Sequence, residues 1–243
     1  MSALLDAFDR QLRRDVAGGE NDGETVIWID DGWRGVIWSD LDERNADAAI
    51  ARAVSRLRSC GGEFEWKLYG HDRPADLPRR LEAAGLVPGE EETVLVAEIS
   101  ALEPTTELDV RVALDRNAVE KLVWLHDRVF GGQHAAIGRA LERSLGQDPP
   151  PSLGVVCFAS DEPVSAARIE FPPGSEFATL WGGCTLPESR GRGAYRATVA
   201  LRAQLARERG YRYLVVDAMP ASRPILERLG FAALTTTTPY TPA

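Results

Sequence analysis

One segment of the chain, residues 178–205, constrains the possible folds more than any other. It begins with an apolar run typical of a β-strand, crosses a short loop and continues with the periodicity of an amphipathic helix. The first N–H groups of such a helix lack intrahelical partners and the helix dipole is positive there, so the loop favours an anion. Gly191 and Gly193 allow a ligand to approach the backbone, while Arg190 and Arg192 supply charge for phosphate oxygens. We therefore expect a phosphate-bearing ligand at this loop.

The second half of the chain surrounds this segment with a characteristic order of elements. From residue 108 to residue 238 the patterns predict a strand, two helices, three strands, a helix, a strand, a helix and a last strand. This order, with Arg190 and Gly193 in the loop, resembles the GNAT superfamily of acyl-CoA N-acyltransferases. The family signature is Gln or Arg, two residues, Gly, one residue, then Gly or Ala, and Tyr195 departs from it at the last place. The segment SRPILERLGF, a helix that ends in Gly-Phe, is a second landmark of the family.

The resemblance implies an α/β (α+β) fold with a mixed central sheet flanked by helices, and acetyl-CoA as the acyl donor. In the family, the strand before the loop pairs with the pantetheine arm and the loop holds the pyrophosphate. No metal is expected, because the three histidines lack metal-ligand spacing. Carried over residue by residue, the implied cofactor-binding set is Gly183, Cys184, Thr185, Leu186, Arg190, Gly191, Arg192, Gly193, Ala194 and Tyr195.

The first half of the chain carries a faint copy of the second. A shift of about 145 positions lays the strand, helix and closing glycine of residues 66–85 on those of residues 211–230. Any strand, helix and glycine cap would give a similar match, so the echo alone leaves coincidence open. In the same register Asn45-Ala46-Asp47-Ala48 replaces the phosphate loop, and acidic side chains there would repel a pyrophosphate. We expect one cofactor site.

Two domains are predicted from this organisation. The first, residues 1–105, is a degenerate GNAT-like domain without a phosphate loop, and the second, residues 106–243, is the acetyl-CoA-binding GNAT domain. The boundary follows from the polar, proline-containing stretch 103–107, after which a new strand begins. Within the first domain we predict an amphipathic helix over residues 2–17 and a β-hairpin with its turn at residues 30–32.

The two catalytic groups customary in the family are both replaced. Thr179 stands where a glutamate usually activates the amine, and Leu226 stands where a tyrosine usually protonates the leaving thiolate. Glu170, on the neighbouring strand, is the candidate base, unless it is a solvated residue paired with a nearby arginine. Asp217 either caps the following helix or faces the acyl group, and Ser222 is either an N-cap or a proton donor.

Composition limits the partners. The net charge of -9 argues against general nucleic-acid binding and favours a cationic acceptor, and no apolar run is long enough for a membrane span. The three cysteines are too far apart to suggest a disulfide framework or a zinc site, which fits a cytoplasmic protein, expected as a monomer or homodimer.

The expected function is an N-acetyltransferase that moves an acetyl group from acetyl-CoA to an amine of a small molecule or peptide by direct attack. Because the usual acid and base are absent, a non-catalytic acyl-CoA-binding regulatory or scaffold protein is the alternative. A transferase for longer acyl chains or for a thiol-containing acceptor also remains open.

Overall fold

The computed structural model describes residues 2–30, 33–102 and 107–243. The chain forms two compact units. Unit 1 comprises Met1–Leu95, Asp217–Pro224 and Ala233–Ala243, and unit 2 comprises Val96–Val216 and Ile225–Ala232. Residues 103–106 of the predicted linker, with the boundary near residue 105, lie outside the described residues, as do Asp31 and Gly32 of the predicted turn. The division into residues 1–105 and 106–243 therefore stays a prediction. The compact units are not continuous in sequence, because unit 1 also contains two segments from the C-terminal part of the chain.

The first half contains the predicted N-terminal helix and the predicted strand and helix of residues 66–85. The amphipathic N-terminal segment forms a helix that continues as a π-helical turn over Asp9–Arg14. The helices are α1 (Ala3–Phe8), α2 (Ala46–Ser59) and α3 (Leu77–Ala83), and the strands are β1 (Glu20–Asn21), β2 (Thr25–Ile29), β3 (Arg34–Ser39), β4 (Glu65–Tyr69), β5 (Leu86–Pro88) and β6 (Glu92–Glu98).

The second half begins after a short 3₁₀ turn at Ile99–Ala101 and confirms the predicted order of elements. Its helices are α4 (Arg116–Phe130), α5 (Ala135–Leu145), α6 (Ala194–Glu208) and α7 (Arg223–Arg228), and its strands are β7 (Asp109–Val112), β8 (Ser152–Ala159), β9 (Glu162–Glu170), β10 (Phe177–Thr185), β11 (Tyr213–Ala218) and β12 (Ala232–Pro242).

The sheet of unit 1 is mixed. Its strands follow the order β1-β2-β3-β4-β12, and β5 pairs with β12. The predicted hairpin is confirmed, because β2 and β3 are antiparallel from Thr25/Ser39 to Ile29/Arg34. The parallel pairing of β3 with β4 covers only Gly35/Glu65 and Val36/Trp66, although both strands continue beyond it. Burial of Trp66 with apolar side chains of α2 and α3 forms the core of this unit.

The sheet of unit 2 is also mixed, in the order β11-β10-β9-β8-β7. The pair β10 and β11 is parallel, from Phe177/Tyr213 to Thr179/Val215, and the other pairs are antiparallel. Val156 of β8 packs with α4 and α5, whereas its neighbour Cys157 packs with Ala194 and Ala197 of α6. Because successive strand side chains point to opposite faces, helices cover both faces of this sheet. The predicted fold class is confirmed.

Within the described ranges, no helix combines the length and the apolar character that a membrane crossing requires.

Candidate functional site

A β-bulge interrupts strand β10 in unit 2. Trp181 pairs with Arg168 and Cys184 pairs with Ala166, so Gly182 and Gly183 together oppose a single residue of β9. Gly182 has φ +58°, a conformation that favours glycine. A bulge takes backbone groups out of the regular ladder and is common beside binding sites. The predicted pantetheine strand therefore carries an irregularity of the kind that can present backbone groups to a ligand.

The side chain of His126, on α4, supports the bulge. Its Nε2 donates a hydrogen bond to the carbonyl oxygen of Gly182 at 2.8 Å. The imidazole is fully buried, and burial together with the nearby Arg168 guanidinium lowers the pKa of His126 to about 4. The ring is therefore neutral at pH 7. The sequence alone assigned no role to His126, because its position at the bulge depends on a contact between residues 56 apart in the chain.

The three residues after the bulge, Cys184, Thr185 and Leu186, are buried or hydrogen-bonded to neighbouring strand residues. Burial raises the pKa of the Cys184 thiol to about 11, so the thiol stays neutral at pH 7 and is no nucleophile. The Thr185 hydroxyl lies 2.9 Å from the hydroxyl of Ser165. The N–H of Leu186 donates to the carbonyl of Val164 at 2.9 Å, which leaves that N–H unavailable to a pantetheine arm.

The loop from Arg190 to the start of α6 has the features of an anion site. Gly191 and Gly193 have φ values of +74° and +85°, and Gly193 is the N-cap of the helix. Among the described residues, none accepts a hydrogen bond from the backbone N–H groups of residues 191–194. Arg190 reaches back to the carbonyl of Thr185 through Nε at 3.3 Å, and the exposed Arg192 adds a second guanidinium. Open N–H groups and two cations make the loop suited to phosphate oxygens.

Tyr195, the departure from the family signature, packs against the bulge. A Cβ placed on Gly183 would stand 2.6 Å from Cε2 of the Tyr195 ring, so the ring occupies the space that a side chain at position 183 would need. Burial raises the pKa of the Tyr195 phenol, although the nearby guanidinium of the buried Arg202 opposes the shift. The aromatic ring at the last signature position is thus accommodated by a glycine in the adjacent strand.

The corresponding loop of unit 1 is closed by its own side chains. Oδ1 of Asp42 accepts hydrogen bonds from the N–H groups of Arg44 and Asn45 at 2.7 and 3.0 Å. Oδ1 of Asn45 in turn accepts from the N–H of Asp42 at 2.7 Å. These backbone hydrogen bonds lower the pKa of the Asp42 carboxyl, which therefore stays ionised. An ionised carboxylate therefore lies just before the first residue of α2, where it would repel a phosphate.

The candidate base Glu170 lies at the end of β9 in unit 2. It pairs across the sheet with Thr179, whose hydroxyl accepts a hydrogen bond from the Trp181 indole at 2.8 Å. Its side chain is 41% exposed, and its Oε1 lies 3.7 Å from Nη1 of Arg168. Glu170 lies on the predicted strand. Its contact with Arg168 is the pairing expected if Glu170 is a solvated residue and not a base.

The other two catalytic candidates belong to unit 1. Asp217 forms an ion pair with the ammonium group of Lys67, and both side chains are about nine-tenths buried. The hydroxyl of Ser222 donates to the carbonyl of Met219 at 3.1 Å, in the turn that precedes α7. Asp217 is thus committed to a buried cation, and Ser222 takes part in a local turn.

A group of charged side chains around Lys67 escaped the sequence reasoning. Burial raises the pKa of Glu92 to about 7, despite the opposing influence of Lys67, and burial also raises the pKa of Glu65. Glu65, Lys67 and Tyr69 alternate along β4, so they share one face of the strand. Charged residues that alternate along a buried strand could have indicated this charged group from the sequence.

The sequence of this chain matches the family model described as the acetyltransferase (GNAT) family over residues 116–231. No curated protein matches the chain by sequence.

Solved structures show the same fold over nearly the whole chain. A GCN5-related N-acetyltransferase from Kribbella flavida superposes with a TM-score of 0.70 at 17% identity, covering 98% of this chain and 94% of that one. A conserved protein of unknown function from Staphylococcus epidermidis has a TM-score of 0.69 at 13% identity and covers 99% of each chain. A GCN5-related N-acetyltransferase from Sphaerobacter thermophilus has a TM-score of 0.57 at 12% identity, over 89% of this chain and 75% of that one.

These likenesses establish the fold, and the family match agrees with the bulged strand and open loop of unit 2. Residues 116–231 therefore form a domain of the acetyltransferase (GNAT) family.

Proposed function

We propose that the protein is an acetyl-CoA-dependent N-acetyltransferase that transfers the acetyl group directly to an amine of a small molecule or peptide. The observation that carries the proposal is the loop at residues 190–195, with its open N–H groups and two arginines, directly after the bulged strand. In this proposal the pyrophosphate of the cofactor binds the loop, and the pantetheine arm runs along Gly183 and its neighbours. We further propose a cytoplasmic enzyme that acts as a monomer or homodimer.

A single cofactor site follows from the contrast between the two loops. In unit 2 the N–H groups at the start of α6 lack acceptors among the described residues, whereas in unit 1 the N–H of Ala46 already donates to a backbone carbonyl and the Asp42 carboxylate lies beside the start of α2. A pyrophosphate bound at that helix start would be repelled by the negative charge of Asp42. This contrast supports two copies of one architecture, of which only the C-terminal copy retains cofactor binding.

Among the three catalytic candidates, Glu170 is the one we favour as general base. Its carboxylate is partly exposed and lies beside a guanidinium, so an amine could reach it through a water molecule. Asp217 is a weaker candidate because Lys67 holds it in a buried ion pair. The Ser222 hydroxyl already donates to a carbonyl, which argues for a role in the turn before α7.

The proposed mechanism relies on positioning more than on acid catalysis. Leu226, at the place of the customary tyrosine, is fully buried and has no proton to give. A CoA thiolate is a good leaving group, so the missing acid costs little, about tenfold in rate. An amine held against the thioester gains rate from orientation and from polarisation of the carbonyl by backbone N–H groups.

A second candidate function is acyl-CoA binding without turnover. The buried Leu226 and the Thr179–Trp181 hydrogen bond, which occupy the positions of the usual acid and base, favour it. In that case the protein would hold acetyl-CoA or a longer acyl-CoA as a regulatory or scaffold component.

One experiment separates the two functions. The purified protein is incubated with acetyl-CoA and pools of polyamines, aminoglycosides and short peptides, while free CoA thiol and acetylated products are measured by mass spectrometry. The proposal predicts an amine that gains one acetyl group at a rate well above the reaction without protein. Saturable CoA binding with no acetylated product in any pool would support the binding function instead.

A further inference from the structure

A polar cavity of about 440 Å³ lies within unit 1, away from the phosphate-loop residues. Its walls come from α1 and the following π-helical turn, from the end of β3 and from residues 71–73 after β4. Residues 38–41 of its wall correspond, with the shift of 145 positions, to residues 183–186 of the proposed pantetheine strand. In this register, which rests on the proposed function, the cavity corresponds to the place proposed for the pantetheine arm in the second half.

The floor of the cavity is a closed network of charged side chains. Arg13, which is 1% exposed, binds Asp72 through two hydrogen bonds of 2.7 and 3.0 Å and donates through Nε to the carbonyl of Ile37 at 2.9 Å. His71 places Nε2 2.9 Å from Oδ2 of Asp9 and Nδ1 3.0 Å from the hydroxyl of Thr235. Such a satisfied network holds the floor rigid.

The wall at the end of β3 offers a buried polar group that the protein leaves unused. Ser39 lines the cavity and is 8% exposed, and its hydroxyl has no hydrogen-bond partner among the described residues. A buried hydroxyl without a partner is costly, so it is usually matched by a ligand or water. Trp38, half-buried beside it, supplies an aromatic surface.

The rim carries charges of both signs that are not neutralised by ion pairs. Within the described part of the chain, the guanidinium groups of Arg10 and Arg73 and the carboxylates of Asp6 and Asp40 have no ion-pair partner. A ligand with a single charge would bind either the two guanidinium groups or the two carboxylates and leave the others without a counter-charge. A ligand that carries a carboxylate and an ammonium group satisfies both pairs.

We propose that this cavity binds a free α-amino acid. The α-carboxylate binds Arg10 or Arg73, the α-ammonium group binds Asp6 or Asp40, and the Ser39 hydroxyl and Trp38 contact the remainder. The volume suits a small ligand and is too small for a complete acyl-CoA. The ionised Asp42 before α2 also disfavours a pyrophosphate at that helix start.

The test uses the full-length protein without acetyl-CoA, so it does not depend on the proposed acetyl transfer. Calorimetry and thermal shift are measured with the standard α-amino acids, then with the decarboxylated amine and the deaminated acid of the strongest ligand. We expect one amino acid to bind saturably with one site per chain, and both analogues to bind at least about tenfold more weakly.

Variants locate the site. Arg73→Gln and Asp40→Asn are expected to weaken the amino acid by about tenfold each, because each removes one charge-assisted contact. Arg79→Gln and Glu43→Gln, exposed residues outside the cavity, serve as matched controls and should bind normally. Far-UV circular dichroism spectra that match the unmodified protein show that all four variants are folded. The proposal is overturned if no amino acid binds, if the single-charge analogues bind equally well, or if the cavity variants behave like the controls.

Discussion

The aromatic ring of Tyr195 lies where a side chain at Gly183 would project, 2.6 Å from an ideal Cβ at that position. A residue on the phosphate loop and a residue in the bulged strand are thereby coupled through direct contact. The pair explains how a bulky aromatic residue replaces the small residue that the family signature places beside the pyrophosphate.

The first prediction concerns this contact. Gly183→Ala should lower the free energy of unfolding by about 1 to 3 kcal/mol, because the added methyl group overlaps the ring. In a Tyr195→Ala background the same change should cost less than about 0.5 kcal/mol, since the space is then open. Urea unfolding of the four proteins in the cycle measures the coupling. Equal costs of Gly183→Ala in both backgrounds would show that the ring and the bulge are independent.

A second prediction follows from the neutral His126. Its pKa of about 4 lies below the 6.5 of an ordinary histidine, so the unfolded chain takes up the proton first as the pH falls. The stability that His126 contributes is therefore complete above pH 6.5 and is lost between pH 6.5 and 4. His126→Gln keeps an N–H donor but does not titrate, and it should reduce the loss across this window by about 1 to 2 kcal/mol.

The comparison variant is His134→Gln. Its imidazole lies 2.9 Å from Asp127 and contacts the His126 ring edge-on, but it does not bind the bulge. Unfolding curves at several pH values between 7 and 4 should separate the two variants. An acid dependence in His126→Gln that is identical to that of the unmodified protein would contradict the buried, neutral imidazole.

The third prediction concerns Glu92 in unit 1. Its pKa is raised from 4.5 to about 7, so the carboxyl is protonated in both states below pH 4.5, and stability is lost as the pH rises to 7. Glu92→Gln should therefore stabilise the protein at pH 8, by about 1 kcal/mol, and leave it unchanged below pH 4.5. The exposed neighbour Glu91→Gln is the control and should change little at either pH. A destabilised Glu92→Gln at pH 8 would show that the charged form is the favoured one.

The order of helices and strands was predictable because each element has a local sequence pattern. Apolar periodicity distinguishes helices from strands, and the glycines at positions 191, 193 and 230 mark where elements begin or end. The glycine loop before α6 was predictable for the same reason, since its residues are consecutive, whereas anion binding at this loop stays a prediction.

The charged groups around Lys67 were not predictable in this way. Lys67 and Asp217 are 150 residues apart, and their meeting depends on which strands become neighbours and in which register. The Gly183–Tyr195 contact likewise depends on the bulge, which shifts the strand by one residue. Local patterns do not encode either relationship.

The fourth prediction tests the proposed base. Glu170→Gln should lower the acetylation rate by about a hundredfold at pH 7 and much less at pH 9, where more of the amine is already neutral. CoA affinity should not change, because the side chain lies outside the phosphate loop. Glu162→Gln, at the exposed opposite end of the same strand, is the matched control. The unmodified rate and pH profile in Glu170→Gln would assign this residue to a structural pairing with Arg168.

The central claim is that the loop beginning at Arg190 is the sole cofactor site, and calorimetric titration of CoA into Gly193→Asp tests it most directly. Gly210→Asp is the matched control, because Gly210 also has a positive φ and an open environment, at the other end of α6. The account predicts one site per chain in the unmodified protein and in Gly210→Asp. It predicts at least about a hundredfold weaker binding in Gly193→Asp, where a carboxylate enters the phosphate position. Normal binding by Gly193→Asp, or two sites of similar affinity in the unmodified protein, would contradict it.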